Sequence, residues 1–124
     1  MARLDAADCL FCRIVAGQVP SKRVEITDPA LDREIFAFED VRPQAPHHVL
    51  VIPRQHIPTL NELRPEHAAL VGKLVLGARA VAQARGIATP GYRVVMNTNA
   101  GAGQSIYHIH LHLLGGRPLA WPPG

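Results

Sequence analysis

The chain has 124 residues, 48% of them hydrophobic, and a formal charge of +3 with a pI near 9.3. That length, with no low-complexity tract, fits one domain over residues 1–124. No apolar run is long enough to span a bilayer, and Met1 to Asp5 carry no signal-peptide core, so a cytoplasmic location with no membrane partner is expected. The Lys and Arg residues are scattered, which suits a small anion such as a phosphate and argues against nucleic acid.

Asp8 is placed to cap a short helix from Cys9 to Ala16, ended by Gly17. Leu10, Phe11, Ile14 and Val15 form its apolar stripe. Its first turn holds Cys9-Leu10-Phe11-Cys12. A disulfide framework is not expected in a cytosolic chain. A redox pair, half of a zinc site and two buried thiols on one helical turn all fit the spacing. Val24 to Thr27 and Glu34 to Phe38 read as strands, with a Pro- and Asp-bearing turn from Thr27 to Asp32 between them. After a proline-rich loop, Asp40 to Pro46, the run His48 to Ile52 is a strand stopped by Pro53.

One long helix follows. Pro65 suits its first turn, Glu66 its positive end, and Arg85-Gly86 its close. Leu70, Val71, Leu74, Val75, Ala78, Val81 and Ala82 give it an apolar stripe. Tyr92 to Thr98 is a further strand. The loop Asn99 to Ser105 then joins it, as a hairpin, to a last strand. The order reads as α+β: a mainly antiparallel sheet of about five strands with one long and one short helix.

That last strand is the most informative segment. His108, His110 and His112 alternate with Ile109 and Leu111, so all three imidazoles share one strand face. Tyr107, Ile109, Leu111 and Leu113 take the core side. Imidazoles change protonation near neutral pH. The preceding loop has Gly101, Gly103 and Ser105, whose backbone donors and hydroxyl suit phosphoryl oxygens. Asn97 adds a donor. An imidazole beside a held phosphate can attack phosphorus. A three-histidine zinc site is the competing chemistry. It is disfavoured because residues i and i+4 of one strand lie too far apart to share an ion.

The segment Gly103 to Arg117 resembles the signature of the histidine triad (HIT) proteins, and more narrowly their Hint branch in its bacterial form. Phe11 to Val15, Phe38-Glu39-Asp40, Pro43 to Pro46, His48 to Pro53, Gly91-Tyr92-Arg93 and the ending Trp121 to Gly124 extend the likeness over nearly the whole chain. The resemblance implies a HIT-like fold that dimerises into one continuous ten-stranded sheet. It implies hydrolysis of purine nucleoside phosphoramidates, such as adenosine 5′-phosphoramidates and aminoacyl-adenylates, with no cofactor needed for the chemistry. His110 becomes the nucleophile, with Ser105 and His112 beside it. Its second nitrogen is expected to donate to a backbone carbonyl. Asp40 falls on the ribose, while Asn97, Gly103, Gln104, Ser105 and His112 surround the α-phosphate. Leu10, Phe11, Ile14, Phe38 and Val41 wall the adenine. Transferase relatives carry glutamine at the position of His112, so hydrolysis is favoured.

The paired cysteines resemble those of zinc-bearing bacterial triad proteins and galactose-pathway transferases. That likeness implies a structural zinc held by Cys9, Cys12, His48 and His108. His47 reads as a solvated loop residue, and His56 and His67 as surface or packing residues. A dinucleoside polyphosphate hydrolase and a nonenzymatic purine-nucleotide binder are the alternative functions. AMP-like nucleotides and a second copy of the chain are the expected partners. The dimer is expected to use the long helix and the Tyr92 to Thr98 strand, with the Trp121 tail reaching toward the partner's site.

Overall fold

The computed structural model describes residues 5–124; the reading of the extreme N-terminus falls largely on residues 1–4, outside the described residues. The core is a five-stranded sheet in the order β1-β2-β3-β5-β4, antiparallel throughout. Its strands are β1 (Arg23–Val24), β2 (Ile35–Glu39), β3 (His47–Pro53), β4 (Tyr92–Val95) and β5 (Leu111–Gly115). The helices are α1 (Leu10–Val15), α2 (Pro29–Asp32) and α3 (Ala68–Ala84). No helix among the described residues is long and apolar enough to cross a membrane.

The strand period divides the apolar residues between two faces. Ile35, Ala37, Val49, Val51, Leu111 and Leu113 pack against Leu70, Leu74, Ala78, Val81 and Ala82 of α3. Phe36, Phe38, Leu50 and Ile52 point the other way and pack against Cys9, Phe11 and Ile14. β3 is therefore buried along nearly its whole length, which is why its sequence is a continuous apolar run. Gly77 lets α3 settle on the sheet, because a Cβ there would collide with Ile35.

Several local expectations change. Cys9, not Asp8, caps α1: its sulfur accepts the Cys12 N–H at 3.3 Å, and Asp8 lies in a preceding 3-10 turn. β1 is shorter than the Val24 to Thr27 strand, because the chain leaves the sheet to enter α2. The 27–32 turn thus contains a short helix, whose cap Asp28 accepts from Ala30 N–H. β4 stops at Val95, opposite His112. Beyond that pair the last strand does not extend back to His108. Ile109 N–H instead bonds Ile57 carbonyl at 2.8 Å, which draws the segment from β4 toward the loop after β3. The side-chain alternation survives: Tyr107 and Ile109 are buried on one side of this segment, and His108 and His110 on the other.

Candidate functional site

The three histidines diverge. His112 sits on β5 between Leu50 of β3 and Val95 of β4. His108 and His110 lie in the extended segment before it, and both rings meet the edge of Phe11, at centroid distances of 5.9 and 5.2 Å. No metal-capable group among the described residues contains all three, so the shared-ion reading fails on geometry.

Hydrogen bonds to backbone groups fix each tautomer. His110 Nδ1 lies 2.8 Å from the His108 carbonyl, which can only accept. Nδ1 therefore carries the proton, and Nε2 presents its lone pair. This is the backbone acceptor expected from the sequence. Burial pushes the His110 pKa below the usual histidine value, against the opposing pull of the His108 carbonyl and Asp40. The ring stays neutral at pH 7.

A second chain of bonds sets His112. Gln44 N–H donates to His48 Nδ1 at 3.0 Å, so the neutral His48 carries its proton on Nε2. That N–H points at His112 Nδ1, 2.9 Å away, with Asp40 Oδ2 at 3.3 Å as a further acceptor. His112 accepts at Nδ1 and therefore holds its own proton on Nε2. Burial lowers the His48 pKa despite Asp40 and Glu39. Burial, then His110 and His48, bring His112 down to about 4. Asp40, His48 and His112 could be mistaken for a metal set. The Gln44 amide argues otherwise, because it leaves His48 facing its neighbours with a proton rather than a lone pair.

Cys9, Cys12, His56 and His108 form a different group, with ligand atoms all within 4.8 Å of one another. His108 Nδ1 lies 3.3 Å from Cys9 Sγ and 3.5 Å from Cys12 Sγ, and Cys12 Sγ lies 3.4 Å from His56 Nδ1. His108 Nε2 donates to the Pro53 carbonyl at 2.7 Å, so its Nδ1 lone pair faces the sulfurs. Two thiols and two imidazoles, one imidazole oriented from behind by a carbonyl, are a donor set suited to tetrahedral zinc. Burial, with help from Cys9, lifts the Cys12 thiol to about 11.

This corrects the expected ligand set: His56 stands where His48 was expected. The register explains why. His48 pairs with Leu114 and Val51 with Leu111, so the ladder extended backward sets His108 opposite position 54. His48 is six residues from that point, about 20 Å along a strand. The chain turning off β3 at Pro53 delivers His56 instead. His56, read from the sequence as a surface or packing residue, thus lies within this group.

The remaining expected residues fall into three places. Phe11, Ile14 and Phe38 are packed together, with the Phe11 and Phe38 rings edge-on at 5.3 Å. Leu10 and Val41 are not packed with them: they are exposed by 41% and 92%. A cleft of about 780 Å³ runs past Asp40, Val41 and His48 toward Lys22. The glycine loop contains a 3-10 turn, Ala100–Ala102, followed by Gly103 at φ +86°, with Gly101, Gly103 and Ser105 exposed. Asn97 is half-buried beyond β4. The Gln104 side chain is buried, and its amide is occupied by main-chain groups of Asn99, Pro58 and Ile106.

Comparisons with known proteins place the chain in a family. Residues 8–118 match the family model described as the scavenger mRNA decapping enzyme C-terminal binding domain. The chain is 45% identical to the purine nucleoside phosphoramidase of Escherichia coli, covering 92% of each. It is 50% identical to a HIT-like protein of Synechococcus elongatus over 94% of this chain and 97% of that one. A HIT family hydrolase from Legionella pneumophila superposes with a TM-score of 0.87 at 47% identity, covering 94% and 99% of the two chains. A histidine triad protein from Clostridium difficile gives 0.83 at 33% identity, covering 91% and 94%. The chain is a member of the histidine triad hydrolase family.

Proposed function

We propose that the chain hydrolyses purine nucleoside phosphoramidates through a nucleotidyl-histidine intermediate on His110. The observation that carries this reading is the His110 Nδ1 bond to the His108 carbonyl, which leaves a neutral imidazole with Nε2 unprotonated. In the first step Nε2 attacks phosphorus and the P–N bond to the amine breaks. The amine leaves with a proton drawn from a bound water. The hydroxide so formed attacks phosphorus, the P–Nε2 bond breaks, and AMP is released. One water enters; an amine and a nucleotide leave. His112 Nε2–H and Ser105 hold phosphoryl oxygens, Asp40 serves the ribose, and Leu10, Phe11, Ile14, Phe38 and Val41 enclose the base. A relative of the same family that acts as a purine nucleoside phosphoramidase supports the substrate class.

The test is turnover of a fluorogenic adenosine phosphoramidate beside an ApppA-type dinucleotide. The phosphoramidate is expected to be the better substrate by kcat/KM. The pH profile follows from the lowered pKa of the nucleophile: activity is expected to persist below the usual histidine range and to fall only in more acidic solution, as His110 takes up a proton and loses its attacking lone pair. Preference for the dinucleotide would move the assignment to the polyphosphate-hydrolase branch. Binding without turnover of either would leave only a nucleotide-binding protein.

The same reading includes a structural zinc on Cys9, Cys12, His56 and His108, taking no part in the reaction steps. It also includes a homodimer. Val75 and Leu76 on α3, and Tyr92 and Val94 on the edge strand β4, are between 36% and 51% exposed, and a two-fold pairing would cover them. Light scattering at micromolar concentration is expected to give twice the 13.5 kDa of one chain; a monomer mass would rule the pairing out.

A further inference from the structure

We propose that Gln104 is a positioning residue that holds the phosphate loop in its working conformation, not a phosphate ligand. The inference deepens the proposed function and rests on the part of it that has the 101–105 loop bind a nucleotide phosphate. Gln104 is 5% exposed, and both ends of its amide are committed. Nε2 donates to the Pro58 carbonyl at 2.8 Å and to the Ile106 carbonyl at 3.1 Å. Oε1 accepts the Asn99 N–H at 2.8 Å. The Gln104 main-chain N–H is used as well, bonding the Asn99 carbonyl at 3.1 Å. No donor of this residue remains for a ligand.

What these bonds hold is an unfavourable backbone. Asn99 has φ +64° and ψ 177°, and it is the only non-glycine residue with positive φ among those described. Asparagine tolerates the left-handed helical region, but there ψ is near +47°. Extended ψ at positive φ is territory that essentially only glycine enters, and other residues stay there only when their surroundings force them. Gln104 forces Asn99 from both sides, through its side-chain oxygen and its main-chain N–H. The turn so fixed opens the loop that carries Gly101, Gly103 and Ser105. Pro58 and Ile106, whose carbonyls take the amide, lie close in sequence to the two partners of the Ile57–Ile109 bond, which ties this segment to the loop after β3. Gln104, itself buried, thus ties an exposed loop to main chain outside it.

The distinguishing readout is the contribution of the phosphate group to binding, measured as the affinity for AMP relative to adenosine by calorimetry. In the wild type AMP is expected to bind more tightly. Gln104→Met keeps the volume but loses the three amide bonds; it is expected to weaken AMP binding by about tenfold while adenosine stays within about twofold, since misplaced donors fail only the group they serve. Adding Asn99→Gly removes the backbone strain and should recover about half of the loss on a logarithmic scale. Thermal unfolding verifies that each variant is folded. Amide exchange of Asn99 in the wild type gives a measure independent of any variant, and this N–H is expected to be protected. The proposal is overturned if Gln104→Met keeps the wild-type ratio, if AMP and adenosine weaken together, if Asn99→Gly recovers nothing, or if the Asn99 amide exchanges freely. A wild type that binds AMP tightly but turns over no phosphoramidate would sink the enzymatic reading and leave this one standing.

Discussion

His110→Ala is expected to lower phosphoramidate turnover by roughly three orders of magnitude or more while AMP binding persists, as follows when the attacking group itself is removed. The size of the effect comes from the absence of a substitute. His108 is turned away, its Nε2 bonded to the Pro53 carbonyl and its Nδ1 facing sulfur. His112 presents an N–H, not a lone pair, because His48 donates to its Nδ1. His110 alone of the three offers an unprotonated Nε2 on this reading. The substitution should leave the fold intact. His110 packs edge-on to Phe11, but Phe11 is also held by Phe38 and the surrounding apolar cluster. Single-turnover kinetics, with binding followed separately, test the point. If His110→Ala kept a tenth of wild-type turnover, the covalent intermediate would be excluded. His112→Ala is expected to be milder, because water can replace an N–H that holds a phosphoryl oxygen.

Much of the fold was legible because parity is a local property. β3, the α3 stripe and the split of the apolar residues between two sheet faces all follow from period counting. The histidine segment shows how far this reaches. The imidazoles alternate with core residues as expected, although only His112 belongs to a regular strand. Side-chain parity was readable there, but hydrogen-bond partnership was not. The departure of Ile109 toward Ile57 depends on a loop fifty-two residues earlier in sequence.

The site was legible to the same degree. The proton on His110 Nδ1 could be anticipated, because no carboxylate is near in sequence and a backbone acceptor was the remaining choice. The pairing of His48 with His112 could not, because it needs the β3–β5 register. The mistaken metal ligand has the same origin. His48 and His56 both flank the β3 run, and only the register decides which of them meets His108. Gln104 illustrates a different limit. A polar residue inside a glycine loop reads as a ligand contact, and nothing local shows that its amide turns inward.

That register argument gives the second large effect. Protein purified without chelator is expected to contain one zinc per chain by elemental analysis. Cys9→Ser and His56→Ala should each reduce it below about a tenth, since a closed structural site needs all four ligands. His48→Ala should keep it, because His48 belongs to the His112 chain, and should impair turnover instead. Binding must deprotonate both thiols, and Cys12 starts near 11, so affinity should fall as the pH is lowered. Removing the metal should also weaken the fold. An ion present at a thousandfold its dissociation constant stabilises by about 4 kcal/mol, which is roughly 10–20 °C in Tm for a small domain. The cost should be felt at the active site too. Cys9 caps the helix that carries Phe11, and the His108 carbonyl sets the tautomer of His110. Chelation is therefore expected to lower Tm in the wild type and in His48→Ala, and to leave Cys9→Ser unchanged. Zinc retained in His56→Ala but lost in His48→Ala would restore the ligand set that the register excludes.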